Sequence, residues 1–263
     1  MTAPTPRAAR WADLTFPDVA ALPENTVAVL PTGAIEQHGP HLPLSTDLVT
    51  ATEVATHAAD AVAADGRADV VLLPALAYTK SDEHAWSPGT IWLSWETLMS
   101  TLVDIGRSLA GSGITRVLLV NGHGGNAALE QVALRELRRR FGLATFFVPA
   151  SVGGEVAREH GNPSELGLGI HGGHTETSMM LHLRPELVHM DRAVRRVPER
   201  LDRFEVVGFG RPASFGWLSD DFGPDGHVGD PTTAGADDGR ALFRAAVDQA
   251  ARAITEASTF SVT

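Results

Sequence analysis

The chain has 263 residues, of which 43% are hydrophobic and 20% are charged, and its formal net charge is −11. This length and composition suit a single large globular α/β domain covering residues 1–263. The acidic balance argues against nucleic acid as a partner, because binding to phosphates requires dense Lys and Arg. The chain has no cysteine, which excludes disulfides and thiolate metal ligands.

No apolar run approaches the roughly 18 residues that span a bilayer. The N-terminal segment, with Pro4, Pro6 and Arg7, lacks the apolar stretch of a signal peptide. We therefore expect a cytoplasmic protein with no membrane partner.

Segments typical of strands and helices alternate along the chain. In chain order, the predicted strands cover residues 26–30, 69–73, 116–120 and 144–148. The predicted helices cover residues 47–64, 95–110, 127–140 and 236–257. This alternation predicts an α/β fold, a three-layer αβα sandwich with a mainly parallel central sheet.

Two long stretches, residues 151–169 and 210–234, show little periodicity. We interpret both as functional loops, since loops of that length in a compact domain usually close or bind something. The second has apolar anchors at Phe215, Trp217 and Phe222. The alternative is a surface loop without a functional role that is anchored by those aromatic side chains.

Three glycine-containing segments concentrate histidines and carboxylates. They run from Gly33 to Asp47, from Asn121 to Asn126 and from His171 to Ser178. The first two follow predicted strands, at the edge where open parallel sheets place their ligand crevice. Imidazole and carboxylate ligands suit zinc, manganese or iron(II), so the segments predict a metal site.

The first segment offers three metal-binding side chains. Glu36 and His38 stand two residues apart, so in extended backbone both can point to one side and reach one ion. Asp47 lies at a predicted helix start, where its two oxygens can span two ions, which implies a dinuclear centre. The alternative for Asp47 is a carboxylate stabilised by the free N–H groups of the helix end.

The second segment, Asn-Gly-His-Gly-Gly-Asn, directly follows an apolar strand. Its glycines allow a sharp turn that brings His123 to the sheet edge. A phosphate-binding loop is the alternative, although the spacing matches neither Walker A nor Gly-x-Gly-x-x-Gly.

Together these motifs resemble the creatininase family of metal-dependent amidohydrolases. The resemblance rests on Glu-Gln-His-Gly-Pro-His-Leu-Pro-Leu with a following Asp, on the Asn-Gly-His-Gly-Gly-Asn turn and on the Glu-Thr-Ser end of the third segment. It implies that two divalent ions, zinc before manganese or iron(II), are bound with Asp47 shared between them. The ligands so implied are Glu36, His38, Asp47 and His123.

Two positions depart from the founding creatinine hydrolases of that family. Those enzymes carry Glu two residues after the second-segment histidine and an acidic residue before the third-segment histidine, where this chain has Gly125 and Ile170. We predict that Glu176 replaces the missing ligand and takes part in catalysis; orienting a histidine ligand is its alternative role. Both departures argue against creatinine as substrate.

The resemblance assigns further roles. His171 is predicted to transfer protons or bind substrate, and His174 to contact substrate or support the site. Glu83-His84 resembles a loop that closes over the substrate, so His84 is a predicted substrate contact. His41 is predicted to make a structural hydrogen bond, with catalysis as the alternative, and a homo-oligomer, a hexamer, is implied.

The predicted reaction is hydrolysis of a non-peptide C–N bond in a small polar cyclic or linear amide. Two ions about 3.5–4 Å apart can supply a bridging hydroxide as nucleophile and polarise the carbonyl, while His171 protonates the leaving nitrogen. The family also contains a formylamide hydrolase, a mycofactocin-precursor peptidase and a carbon–carbon hydrolase. A metal-free small-ligand or nucleotide-binding module on the same sheet is the alternative of a different class.

Overall fold

A computed structural model describes residues 8–262 and is built around a five-stranded sheet with the order β1-β3-β2-β4-β5. The strands are β1 (Ala9–Arg10), β2 (Val27–Thr32), β3 (Val70–Leu72), β4 (Arg116–Asn121) and β5 (Ala144–Pro149). Every neighbouring pair is parallel. The predicted α/β fold with a parallel central sheet is therefore confirmed.

Helices cover both faces of this sheet. They are α1 (Phe16–Ala20), α2 (Thr46–Ala64), α3 (Trp95–Gly111), α4 (Ala127–Phe141), α5 (Gly154–Glu159), α6 (His174–Leu183) and α7 (Ala236–Thr259). Helices α2, α6 and α7 pack on one another, and α3 packs on α4. None of the described helices is long and apolar enough to cross a membrane.

Two hydrophobic cores lie on opposite faces of the sheet. Along β2, Val27 and Val29 join the core formed with α2 and α7, whereas Ala28 and Leu30 join the core formed with α3 and α4. Successive side chains of a strand point to opposite faces, so a strand that is covered on both sides must be apolar at every position. This explains the unbroken apolar run that predicted the strand.

Four short elements were not predicted. Strand β1 has only two residues and α1 has five, too few to show periodicity. Helix α5 lies inside the segment 151–169 that was interpreted as a loop. Helix α6 begins within the third histidine segment, and its buried residues leave no clear polar face to reveal it.

Two predictions about the whole chain are not decided by the fold. Residues 1–7, part of the segment for which no signal peptide was expected, lie outside the described residues. The assignment of one domain to residues 1–263 stays a prediction.

The first turn of α2 rests directly on the carboxyl ends of β2 and β4. A Cβ atom on Gly122 would overlap the main-chain oxygen of Asp47, and one on Gly33 would overlap the Cα of Leu48. The Gly122 amide also donates a 2.8 Å hydrogen bond to the Thr32 carbonyl. Glycine is thus required here by close approach of two backbones, and the contact fixes the height of Asp47 above the sheet.

We predict that Gly122→Ala destabilises the protein by about 1–3 kcal/mol, because the added methyl group must displace backbone atoms of α2. Urea denaturation measures this change. Gly124→Ala is the matched control, since no atom lies within 4 Å of the corresponding Cβ. Equal stability of the two variants would contradict the close approach.

Candidate metal centre

All five predicted metal ligands meet at the carboxyl edge of the sheet. Glu36 and His38 follow β2, Asp47 lies in the first turn of α2, His123 follows β4, and Glu176 lies in the first turn of α6. The Glu36 and His38 side chains are fully buried, and those of Asp47 and His123 are nearly so. Three groupings of side chains could each hold one ion: Glu36, Asp47 and His123; His38, Asp47 and Glu176; and Glu36, His38 and His171.

Asp47 belongs to two of these groupings and faces a different histidine with each oxygen. Its Oδ1 lies 3.0 Å from His38 Nε2, and its Oδ2 lies 3.0 Å from His123 Nδ1. Glu36 Oε1 lies 3.3 Å from the same His123 nitrogen. A carboxylate placed in this way can span two cations.

Each histidine at the centre uses one ring nitrogen for a main-chain carbonyl. His38 Nδ1 lies 3.1 Å from the Glu36 oxygen, His123 Nε2 2.8 Å from the Lys80 oxygen and His171 Nε2 2.6 Å from the Gln37 oxygen. A carbonyl only accepts, so the facing nitrogen carries the proton. When such a ring is neutral, the other nitrogen therefore carries the lone pair that a metal ion would bind, as in metal-binding histidines.

Several buried carboxylate oxygens lack a hydrogen-bond partner among the described residues. Among the candidate ligands these are both oxygens of Glu36 and Oδ2 of Asp47; the two oxygens of Glu130 also lack one. An isolated buried carboxylate is strongly disfavoured unless a cation or donors compensate it. The donor set of oxygens and imidazole nitrogens suits a divalent ion such as zinc or manganese. The residues present therefore fit the metal that the motifs predict.

The electrostatics of the centre are dominated by burial and by the close carboxylates. Burial raises the pKa of Glu36. For His38, burial opposes the charged form, but Asp47 outweighs it and raises the pKa to about 10. Burial also opposes charge on His123, and Glu36 and Asp47 raise its pKa well above the ordinary value. His38 and His123 are thus protonated when no metal cation is bound.

Glu176 closes the centre on the side of α6. Its Oε2 accepts a 2.6 Å hydrogen bond from the Gly172 amide and lies 3.9 Å from His38 Nε2. Burial raises the pKa of this carboxyl to about 7. Glu176 therefore lies where it could be the second carboxylate ligand, beside Asp47, of an ion bound near His38.

Three imidazole rings stack through the site. The ring centroids of His38 and His171, and those of His171 and His84, are both 4.2 Å apart. Burial, then the nearby His38, lowers the pKa of His84 to about 3 and that of His171 well below its usual value. The rings of His84 and His171 are therefore neutral at pH 7.

Gln37 fixes the two neutral rings and was not predicted. Its Nε2 donates 2.9 Å hydrogen bonds to His84 Nδ1 and to the Gly226 oxygen, and its main-chain carbonyl accepts the 2.6 Å hydrogen bond from His171 Nε2. The contact assigns the proton of His84 to Nε2, which lies 3.4 Å from Glu36 Oε1. The sequence signal for Gln37 was its position between Glu36 and His38. In extended backbone its side chain points to the side opposite those two, so the spacing of the ligands did not indicate it.

A cleft with a cavity volume of about 410 Å³ opens onto this centre. Its polar lining consists of Asp47, Glu83, His84, His123, His171 and Glu176. Phe215 and Trp217, from the segment 210–234, form an aromatic wall. Cavities of this size take small ligands or part of a larger one.

His174 does not reach the cleft, although substrate binding was predicted for it. Its Nδ1 lies 3.3 Å from Thr233 Oγ1 and its Nε2 3.5 Å from Asp238 Oδ2. The reason is helical phase: α6 begins at His174, and residues two apart in a helix face opposite sides, so only Glu176 points to the centre. His41 Nε2 lies 2.9 Å from Thr177 Oγ1, the kind of structural contact that was predicted.

The chain also matches known proteins over most of its length. The family model described as creatininase, creatinine amidohydrolase, matches residues 12–254. The mycofactocin precursor peptide peptidase of Mycobacterium tuberculosis (strain ATCC 25618 / H37Rv) is 38% identical over 232 residues, which are 86% of this chain and 83% of the peptidase.

Two further similarities bear on the family. A creatinine amidohydrolase of Pseudomonas putida is 35% identical over 196 residues, which are 68% of this chain and 73% of that protein. A solved creatininase variant of the Zn–Zn type shares 28% identity, with a TM-score of 0.70 over 95% of this chain and 98% of its own. Motifs, fold and family model agree, and the chain belongs to the creatininase family of hydrolases.

Proposed function

We propose that this hydrolase cleaves an amide C–N bond with the help of two divalent ions per chain. The observation that carries the proposal is the Asp47 carboxylate, whose two oxygens face His38 and His123 at 3.0 Å each. Glu36, Asp47 and His123 would hold one ion, and His38, Asp47 and Glu176 the other. Zinc is our first choice, since a related creatininase variant is of the Zn–Zn type.

Two such ions polarise a carbonyl group and lower the pKa of water toward neutrality. Three carboxylates, those of Glu36, Asp47 and Glu176, would offset three of their four positive charges. The remaining positive charge favours the oxyanion that develops when an amide is attacked. No serine or cysteine nucleophile is needed.

His171 is suited to move the proton. Its Nε2 donates to the Gln37 carbonyl, so Nδ1 alone can accept a proton, and Nδ1 lies 3.7 Å from Glu36 Oε1. The ring is neutral at pH 7, because burial lowers its pKa. It can therefore take a proton at the centre and deliver it to the leaving nitrogen.

The first candidate substrate is a small polar molecule with a non-peptide amide bond, which the cleft of about 410 Å³ can hold. A peptide bond of a modified precursor peptide is the second candidate, because the match to the mycobacterial peptidase is longer than that to the creatinine amidohydrolase. Creatinine itself is disfavoured by Gly125 and Ile170. Formylamides remain a third possibility within the family.

We expect hydrolysis of one of these substrates to require bound metal. Purified protein is assayed for dipeptide release from the precursor peptide, for formate release and for opening of cyclic amides, before and after chelation. Turnover should disappear with the metal and return with zinc or manganese. Turnover that persists in fully metal-free protein would contradict the proposal. Tight ligand binding without any chelator-sensitive turnover would favour the metal-free binding module.

His171→Gln should keep both ions and lower kcat by roughly 10²–10⁴-fold, because the proton acceptor is lost. Metal content and steady-state kinetics measure the two effects separately. His174→Gln is the matched control, since that buried ring lies away from the cleft, and its kcat should be unchanged. Loss of an ion from His171→Gln would instead make this histidine a ligand.

Metal binding should release protons at pH 7. The raised pKa values of His38, about 10, and of His123 mean that both imidazoles are protonated without metal. Cations must displace these protons, so we expect at least two protons released per chain, and weaker metal binding as the pH falls. Calorimetry in buffers of different ionisation enthalpy measures the number. A value near zero would contradict the assignment of these ligands.

We further propose that the protein is a homo-oligomer, with the predicted hexamer as the expected size. Large apolar side chains are exposed along one segment: Tyr78, Trp86, Ile91, Trp92 and Trp95, with 40–56% of their surface accessible. Exposed apolar patches of this kind mark contact sites between proteins. Light scattering that gives a monomer would contradict this proposal. The cytoplasmic location stays a prediction.

A further inference from the structure

The chain has 21 basic residues besides histidine, and Lys80 is the only lysine among them. It lies beside the metal centre, where its carbonyl accepts the hydrogen bond from His123. Its Nζ lies 2.9 Å from Glu83 Oε2 and 2.7 Å from Asp82 Oδ1. A compact ammonium on a flexible stem fits between two carboxylates where a planar guanidinium needs more room.

Glu83 occupies the space above Gly125. A Cβ atom at position 125 would overlap Glu83 Oε1, so the glycine leaves room for this carboxylate. Oε1 lies 3.6 Å from His123 Nε2, and the Glu83 side chain is only 11% exposed. The carboxylate thus lines the cleft directly next to the metal centre.

The two oxygens of Glu83 have different surroundings. Lys80 binds Oε2, whereas Oε1 faces the cleft. Lys80 also neutralises only one of its two carboxylate partners, so the Lys80, Asp82 and Glu83 group keeps one negative charge. A largely buried carboxylate oxygen of this kind pairs most favourably with a nitrogen that carries both protons and positive charge.

The aromatic part of the cleft lining favours the same chemistry. Phe215 and Trp217 line it, and Phe209 packs against both, with centroid distances of 5.1 and 5.7 Å. Aromatic faces attract cations within about 6 Å of the ring centroid. The negative net charge of the chain adds a long-range attraction for positive ligands.

The two walls are linked by one serine. Ser219 Oγ donates a 3.1 Å hydrogen bond to the Glu83 carbonyl and accepts a 2.6 Å hydrogen bond from Trp86 Nε1. The aromatic segment and the Glu83 turn therefore hold a fixed relation to each other. A preformed site of this kind binds without a large ordering cost.

We propose that Glu83 determines the specificity of the cleft by binding a protonated amine or guanidinium group of the substrate through Oε1. Lys80 holds the carboxylate in place. The cationic group lies on the part of the substrate between Glu83 and the aromatic wall, beside the amide that is cleaved. This inference rests on the proposed function, since the amide must lie at the ions.

Two hydroxamic acids of equal size test the inference on zinc-loaded protein. Pentanohydroxamic acid and 4-aminobutanohydroxamic acid share the chelating group and differ in a terminal methyl or ammonium group. Calorimetry should show that the wild type binds the cationic probe about tenfold more tightly, as for one hydrogen bond between charged groups. In Glu83→Gln the ratio should fall to about one, while zinc content and affinity for the neutral probe stay the same.

Asp82→Asn is the matched control, because it removes the same charge from the same lysine partner outside the cleft lining. It should keep the preference. A tenfold preference that persists in Glu83→Gln, or that is lost equally in Asp82→Asn, would overturn the role of Glu83. Loss of zinc from Glu83→Gln would overturn it too, by making this carboxylate a metal ligand.

The two proposals fail in different ways in this experiment. Binding of the neutral probe without any preference for the cationic one overturns the inference about Glu83 alone. Failure of zinc-loaded wild type to bind either probe contradicts the proposed function and this inference with it.

Discussion

The structure depends on the close contact between the first turn of α2 and the carboxyl ends of β2 and β4. Glycines at 33 and 122 permit this contact, because any side chain there would meet the backbone of the helix. The contact places the Asp47 carboxylate between the imidazoles of His38 and His123. Since Asp47 is almost fully buried, its charge must be compensated locally, and the surrounding residues are arranged for that purpose.

Main-chain carbonyls set the chemistry of that arrangement. They hold one nitrogen of His38, His123 and His171, and thereby decide which nitrogen of each ring faces the carboxylates. Gln37 does the same for His84 with its side-chain amide. The histidine rings are thus held in a fixed orientation without a ligand. Fixed orientation favours the binding of cations and the stabilisation of charge on a reacting amide.

Sequence alone predicted the parallel sheet and the clustering of histidines and carboxylates, because apolar periodicity and clustered histidines are local signals. The set of five candidate ligands rested in addition on the resemblance of the motifs to the creatininase family. The sequence did not predict the direction of side chains that is set by helix phase, nor contacts between residues far apart in the chain. The start of α6 decides that Glu176 points inward and His174 does not. The contact of Ser219 with Glu83 joins residues 136 positions apart, and no local pattern reveals it. The roles of Gln37 and of the Lys80 carbonyl likewise depend on loop conformations that have no period.

The most direct test of the dinuclear centre is the metal content per chain, measured by mass spectrometry on protein purified without chelator. The wild type should contain about two ions per chain, and Asp47→Ala should lose both. Glu53→Ala, which removes a half-buried carboxylate of the same helix outside the candidate centre, should keep both. An Asp47→Ala variant that retains two ions, or a wild type that takes up no zinc, manganese or iron, would contradict a centre bridged by Asp47.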